Sequence, residues 1–347
     1  MIIREVEKPT SKDLFKYANR RLSEYRDLSP ADVFAGMKLV GSGKGAIAII
    51  LKYLKEKGVI VNKLDEVMVP DWLGYWVYNQ IQPFAFPAKK FSARTKILFV
   101  YHQYGFPQDM DKILEFAHDK KLVVIEDCAH ALNSYYQGKP LGSLGDFAVY
   151  SFSKWFFCFA LGGVKAKPAD FYDYADKLIK QTPAALTLIK DSVKFFHERS
   201  AFSRRQLGKK YLDYLLAMSY SLYGDALKPN RAATGLLAAK ATKEVDVRQK
   251  RYRYFLDKMS GLGICDHLET EGITPYVIPI ICSEAKNKKI LQALKAKNVI
   301  TGSYQFDINR NLLSPNFVPC VWLPCHGGIT AEMFSDIADS VFKIIKE

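Results

Sequence analysis

Several absences narrow this chain of 347 residues before any motif is read. Its six cysteines, at 128, 158, 265, 282, 320 and 325, never form Cys-x-x-Cys and have no histidine pair beside them. That argues against a disulfide scaffold and structural zinc, and no other metal site is expected. No run of the roughly 18–20 predominantly apolar residues of a membrane-spanning helix is present. The opening Met1-Ile-Ile-Arg-Glu-Val-Glu-Lys8 lacks the charged-then-apolar pattern of a secretory signal, so the expected location is a reducing cytoplasm. Acidic residues are scarce, 36 Asp and Glu against 50 Lys and Arg, a formal net charge of +14. No zinc, helix-turn-helix or RNP-type signature accompanies that charge, which makes nucleic acid a poor partner. Repeats and low-complexity segments are also missing. What remains is 49% hydrophobic and 25% charged, an ordinary globular composition in a chain long enough for two domains.

Strand-like runs at 66–70, 96–102, 122–126 and 147–151 alternate with helical patterns at 44–57 and 107–120. This predicts an α/β fold, a mainly parallel sheet with crossover helices. A polar arm with a helical portion is expected over 1–30, and a large domain over 31–228 with a basic helical insertion at about 170–228. A smaller α+β domain is expected over 229–347. A long helix, Asn230 to Met259, leads into it; 274–281, 285–297 and 299–304 read as strand, helix, strand, and a last helix follows Ile329.

Three features in this frame carry chemistry. Leu122-Val-Val-Ile125 reads as a buried parallel strand, which puts Glu126 and Asp127 at its carboxyl end, where open α/β sheets place ligands. Twenty-seven positions after Asp127, Lys154 follows another strand-like segment and precedes the nearly uncharged stretch 155–164. Partial desolvation there lowers an amine's pKa and raises its nucleophilicity. Gly41-Ser-Gly-Lys-Gly45 opens an amphipathic helix whose first-turn amides make an anion site. It is not a Walker A loop: Lys38 stands where that motif needs glycine, and Gly45 where it needs Ser or Thr. Taken singly, a strand-end aspartate caps turns, a lysine is usually a solvated surface charge, and a Gly-rich turn is often structural. Together they supply an amine for a Schiff base, an acid for a pyridinium nitrogen and donors for a phosphate, the layout of a pyridoxal 5'-phosphate site.

The order of the motifs resembles one family. The pieces are G-S-G-K-G-A-I (41–47), E-V-M-V-P-D-W (66–72), T-K-I-L-F-V-Y-H-Q-Y-G (95–105), E-D-C-A-H-A-L (126–132), Y-Q-G-K-P-L-G-S-L-G-D (136–146), S-F-S-K (151–154), G-G (162–163) and L-P-C-H-G-G-I-T (323–330). They resemble the DegT/StrS-type sugar aminotransferases, fold-type-I enzymes that move an amino group, usually from glutamate, to a keto-sugar on a nucleotide or similar carrier. The resemblance implies that Lys154 forms the Schiff base and moves the Cα proton, while Asp127 holds the pyridinium. It puts His130 near the ring hydroxyl, and Ser151, Ser42 and Gly43 at the phosphate. From Pro70-Asp-Trp72-Leu-Gly-Tyr75-Trp76 it implies a stacking aromatic, Trp72 first and Tyr75 second. It further implies a homodimer in which Asn230, in a reduced Asn-Arg-Ala-Ala segment, reaches the neighbouring subunit's phosphate. Arg94, Arg231, His326 and Lys44 are candidate contacts to a substrate carboxylate or phosphate, and spacing does not rank them. A lysine at 154, in place of the histidine of the family's dehydratase branch, favours amino transfer over deoxygenation. Another fold-type-I reaction, or a non-catalytic cofactor-binding or membrane-surface relative, is the alternative.

Residues 165–253 hold 19 Lys and Arg against 9 Asp and Glu, a net of +10. Aromatics such as Phe195, Phe196, Phe202, Tyr211 and Tyr214 interleave with Lys194, Arg199, Arg204, Arg205, Lys209 and Lys210. One reading is a helical hairpin with solvated charges. The other is a surface, Arg204 and Arg205 included, for the anionic carrier of a keto-sugar, nucleotide or lipid, with peripheral contact to an anionic inner membrane face.

Overall fold

The computed structural model describes residues 2–13, 15, 34, 36–201, 211, 213–215, 217, 222–268 and 271–347. Its centre is a seven-stranded sheet, ordered β1 (Lys38–Val40), β9 (Gly162–Ala166), β8 (Phe147–Ser151), β5 (Val123–Asp127), β4 (Thr95–Tyr101), β2 (Glu66–Met68), β3 (Phe86–Ala88). From β8 to β3 the neighbours run parallel, and β9 and β1 close one edge antiparallel. Parallel strands are covered on both faces and therefore read as continuous apolar runs, as Val123-Val-Ile125 does. The register pairs Asp127 with Tyr101 on one side and Val149 on the other, which aligns the strand ends along one rim.

Helix α1 (Gly43–Glu56) buries Ala46, Ile47, Ile49, Ile50, Leu51 and Leu54 against β8 and β9. Ser42 caps it, its Oγ accepting from the Gly45 amide at 3.0 Å. Next come α2 (Tyr75–Ile81) and α3 (Met110–Lys120), the latter starting three residues later than expected, where Asp109 provides the cap. The two-stranded β6 (Tyr135–Tyr136) and β7 (Lys139–Pro140) precede β8. After β9 the basic region forms α4 (Phe171–Gln181) and α5 (Ala184–Ser200), separated at Thr182-Pro183, and then α6 (Arg231–Met259).

The C-terminal part is a three-stranded antiparallel sheet, β10 (Val277–Ile281), β12 (Phe317–Pro324), β11 (Ser303–Asp307), with α7 (Glu284–Ala296) and α8 (Ala331–Lys346). The strand expected at 299–304 starts instead at Ser303. Val299 is taken by the turn that closes α7, its amide bonding Leu294 O, and by a parallel bridge to Ile3. Among the described residues, no helix is long and apolar enough to cross a membrane.

Candidate active site

β5 and β8 end side by side, and the chain leaves β8 in a tight turn, Phe152–Lys154. Asp127 and Lys154 therefore open onto one cleft, facing the N-terminus of α1. Ser42, Gly43, Lys44, Trp76, Asp127, Ala129, Ser151, Ser153, Lys154, Lys194 and Tyr223 line it. It encloses about 200 Å³. That is below the roughly 300–1,000 Å³ of sites for drug-sized ligands, so a carrier-linked sugar would extend beyond it.

Lys154 is accessible from this cleft but surrounded by protein. Burial lowers its amine pKa, Asp127 opposes that shift, and Lys194 adds to it. Its Nζ lies 2.9 Å from His130 Nε2. Burial, with Lys154 and Arg248 nearby, holds His130 well below the usual imidazole range. The ring is thus neutral and accepts from the lysine at Nε2, which puts its own proton on Nδ1, toward the Tyr101 oxygen. Tyr276 stacks on the ring, centroids 4.0 Å apart and planes 14° off parallel. Asp127 Oδ1 accepts from the Ala129 amide at 2.9 Å, and burial raises its carboxyl pKa against the pull of that bond and of Lys154.

Glu126 does different work. It is sealed in, and its oxygens accept from the amides of Gly142 (2.8 Å), Leu144 (2.8 Å) and Gly145 (2.6 Å) and pair with His102 Nε2 (3.0 Å). Burial alone would raise this carboxyl, but His102 and the amides bring it below the usual range. The sequence left Glu126 and Asp127 both open for a ligand; alternation along β5 sends only Asp127 to the cleft. His102, Glu126 and Cys128 have ligand atoms within 4.8 Å of one another, but the His102 and Glu126 donors and acceptors are spent on each other and on backbone.

The glycine-rich side of the cleft rests on close packing. A Cβ on Gly43 would stand 2.9 Å from Ser151 Cβ, so glycine lets α1 approach the β8 terminus. Lys44 sits 4.9 Å from the Trp76 ring and 4.7 Å from the Tyr223 ring. Burial, Lys194 and Lys154 bring its pKa down to about 6.

Other expected site residues fall elsewhere. Trp72 and Tyr75 are 53% and 68% exposed and lie outside the cleft. Gly74 starts α2, and successive helix positions turn by about 100°, so Trp76 and Val77 face inward where Tyr75 cannot. From this segment Trp76 reaches the cleft wall, which Tyr150 and Tyr223 also line. His326 is buried, Nδ1 accepting from the Gly328 amide (3.1 Å) and Nε2 donating to Arg4 O (2.9 Å). Burial pushes it to about 3, and it staples the N-terminal segment to the 326–328 turn. Asn230 is also buried: its Oδ1 accepts from the Ala232 amide (2.8 Å), capping α6, and its Nδ2 donates to Asp191 (2.5 Å). Arg204 and Arg205 lie outside the described residues.

Two contributors had no signal in the motifs. Arg248 is fully buried, pairs with Glu244, and donates to Trp155 O (2.8 Å) and Tyr276 O, with its guanidinium 4.9 Å over the Trp155 ring. It clamps the residue after Lys154 and the ring support of His130 at once. Lys190 on α5 is 0% exposed and donates to Gly41 O (2.5 Å) and Ala160 O (3.2 Å). The basic region is therefore not only a solvated hairpin; α5 is fastened to the glycine loop.

The chain is similar to known proteins in part of its sequence and over the length of its fold. A stretch 45% identical over 64 residues is similar to GDP-perosamine synthase of Escherichia coli O157:H7, covering 18% of each chain. A 30% identical stretch of 144 residues is similar to dTDP-3-amino-3,4,6-trideoxy-alpha-D-glucose transaminase of Streptomyces venezuelae, covering 36% of this chain and 37% of that one. The matches span between 15% and 22% of the first three relatives' length. The backbone follows that of Helicobacter pylori PseC, an aminotransferase involved in the biosynthesis of pseudoaminic acid, over 100% of both chains, with a TM-score of 0.68 at 15% identity. DesV of S. venezuelae superposes over 97% of this chain and 95% of that one, with a TM-score of 0.64 at 16% identity. The α/β arrangement is the fold of those aminotransferases, and residues 86–166, which carry Asp127, His130, Ser151 and Lys154, match the DegT/DnrJ/EryC1/StrS aminotransferase family.

Proposed function

We propose that the protein is a pyridoxal-phosphate-dependent aminotransferase that moves an amino group, from glutamate, to a keto-sugar on an anionic carrier. The observation that carries this reading is the convergence of Lys154, Asp127 and His130 at the ends of β5 and β8, opposite the Gly-rich start of α1. The residues fit the cofactor: an accessible desolvated amine, an acid beside it, and hydroxyls and helix amides where a phosphate would sit. When bound, pyridoxal phosphate supplies an electron sink beside the amine being transferred.

The chain's own residues do the rest. Asp127 would hold the ring nitrogen, its charge kept from water by burial. Lys154 would hold and move the proton at the substrate Cα, and the burial that lowers its pKa favours the free-base form that step uses. His130 orients the lysine and, being neutral, adds no positive charge beside it. Trp76 would cover one face of the ring, and Ser42, Gly43 and Ser151 would meet the phosphate. A homodimer, a catalytic unit ending near 228 and a smaller unit beyond it belong to the same proposal. The relatives' names point to nucleotide-linked sugars.

The test is the half-reaction. Glutamate should convert the bound cofactor to its amine form, read by absorbance, and only a true keto-sugar acceptor should restore the starting spectrum. A protein that binds the cofactor but never exchanges it with any amino donor would be a non-catalytic relative.

A further inference from the structure

We infer that the cofactor's phosphate is gripped by two lysines of one chain, Lys44 on α1 and Lys194 on α5, and not by the asparagine at 230. This rests on the reading of the cleft as a pyridoxal-phosphate site. Both lysines line the cleft with Ser42, Gly43 and Ser151, and they come from different elements. Lys194 is paired with Glu198 on its own helix. Lys44 lies between the Trp76 and Tyr223 rings.

Position is fixed from below. Lys190 and Lys194 are one helical turn apart and share a face of α5. Lys190 fastens that face to Gly41 O and Ala160 O, so Lys194 is delivered to the cradle by the same helix that pins its loop. Asn230, in contrast, spends its amide on the α6 cap and on Asp191. Electrostatics points the same way. Burial depresses the Lys44 ammonium, Lys194 and Lys154 nearby depress it further, and an incoming phosphate dianion relieves that repulsion. The family's Asn segment places a phosphate contact across a dimer; here an inserted helix completes the site within one chain.

The ratio of affinities for pyridoxal phosphate and for pyridoxal, which lacks only the phosphate, isolates this contact. It is measured by titrating cofactor-stripped protein. Lys44→Met and Lys194→Met should each lower the ratio by roughly ten- to a hundredfold, the size of a charge-assisted hydrogen bond. Pyridoxal affinity should hold, which also reports that each variant is folded. Lys194→Gln, a milder change, should lose as much as Lys194→Met, and Lys194→Arg should lose little. Asn230→Ser, which keeps a capping hydroxyl, should leave the ratio unchanged. An unchanged ratio in the lysine variants, or a loss confined to Asn230→Ser, overturns the inference while the cofactor reading stands. A wild-type protein that binds neither compound overturns both.

Discussion

Lys154 and Lys190 are both lysines whose ammonium form is disfavoured by burial, yet the structure uses them in opposite ways. Lys190 is sealed: two carbonyls accept from its Nζ, and Asp191 Oδ1 lies 3.6 Å away. Among the described residues, Lys154 has one hydrogen bond, to a neutral imidazole, and it faces open space in the cleft. Desolvation alone therefore does not make a nucleophile. A lysine surrounded by acceptors is a fastener, and one that meets a neutral ring and a cavity is available to react.

The comparison breaks most sharply under substitution. Lys154→Ala should abolish amino transfer by several orders of magnitude, while the thermal midpoint of the cofactor-free protein holds or rises, because a poorly solvated cation is removed. Lys190→Met should do the reverse. It leaves Asp191 buried with an uncompensated charge, a loss of about 3–5 kcal/mol in chemical denaturation, and Lys190→Met with Asp191→Leu should recover much of it. A destabilised Lys154→Ala with a stable Lys190→Met would reverse the assignment.

Smaller effects sharpen it. Asp127→Asn keeps shape and removes charge, so the amino-transfer rate should fall by two to three orders of magnitude, from a lost contact worth about 2–5 kcal/mol. Near-wild-type turnover would remove Asp127 from the mechanism. Trp76→Ala should weaken cofactor binding by about two- to tenfold, whereas Trp72→Ala should leave it unchanged, a difference worth about 0.5–1.5 kcal/mol of ring stacking. Equal losses would return Trp72 to the site.

A further effect is one of pH. Lys44 has a folded pKa near 6, below its value of 10.5 in an unfolded chain. Between those limits the unfolded state binds more protons, so stability rises with pH across that window and the penalty is fully present below it. Lys154 and Lys190 add slopes of the same sign. Melting curves of cofactor-free protein should therefore rise from pH 6 toward 10, and Lys44→Met should flatten the rise.

Much of the catalytic half was legible because it depends on local pattern. β8 forms over the very residues expected, 147–151, because a parallel strand is an apolar run, and Asp127 and Lys154 sit at strand ends that such runs locate. The supporting half was not. Arg248 lies 94 positions from Lys154 and gives no sign in sequence that it clamps Trp155, since its partners are backbone carbonyls. Trp76 lines the cleft and Trp72 does not because the cap of α2 at Gly74 sets which side chain turns inward, and a one-residue difference in that onset changes the answer. Asn230 was readable as the start of a helix, but only the packed Asp191 shows that its side-chain amide is engaged within the chain.

The central claim is that, of these two desolvated lysines, Lys154 alone is built to react. Reduction of the protein with borohydride in the presence of pyridoxal phosphate, followed by peptide mapping, tests this directly. The account predicts one stable cofactor adduct, on Lys154, and none in the Lys154→Ala protein. An adduct on Lys190, Lys44 or Lys194, or one that survives Lys154→Ala, would contradict it.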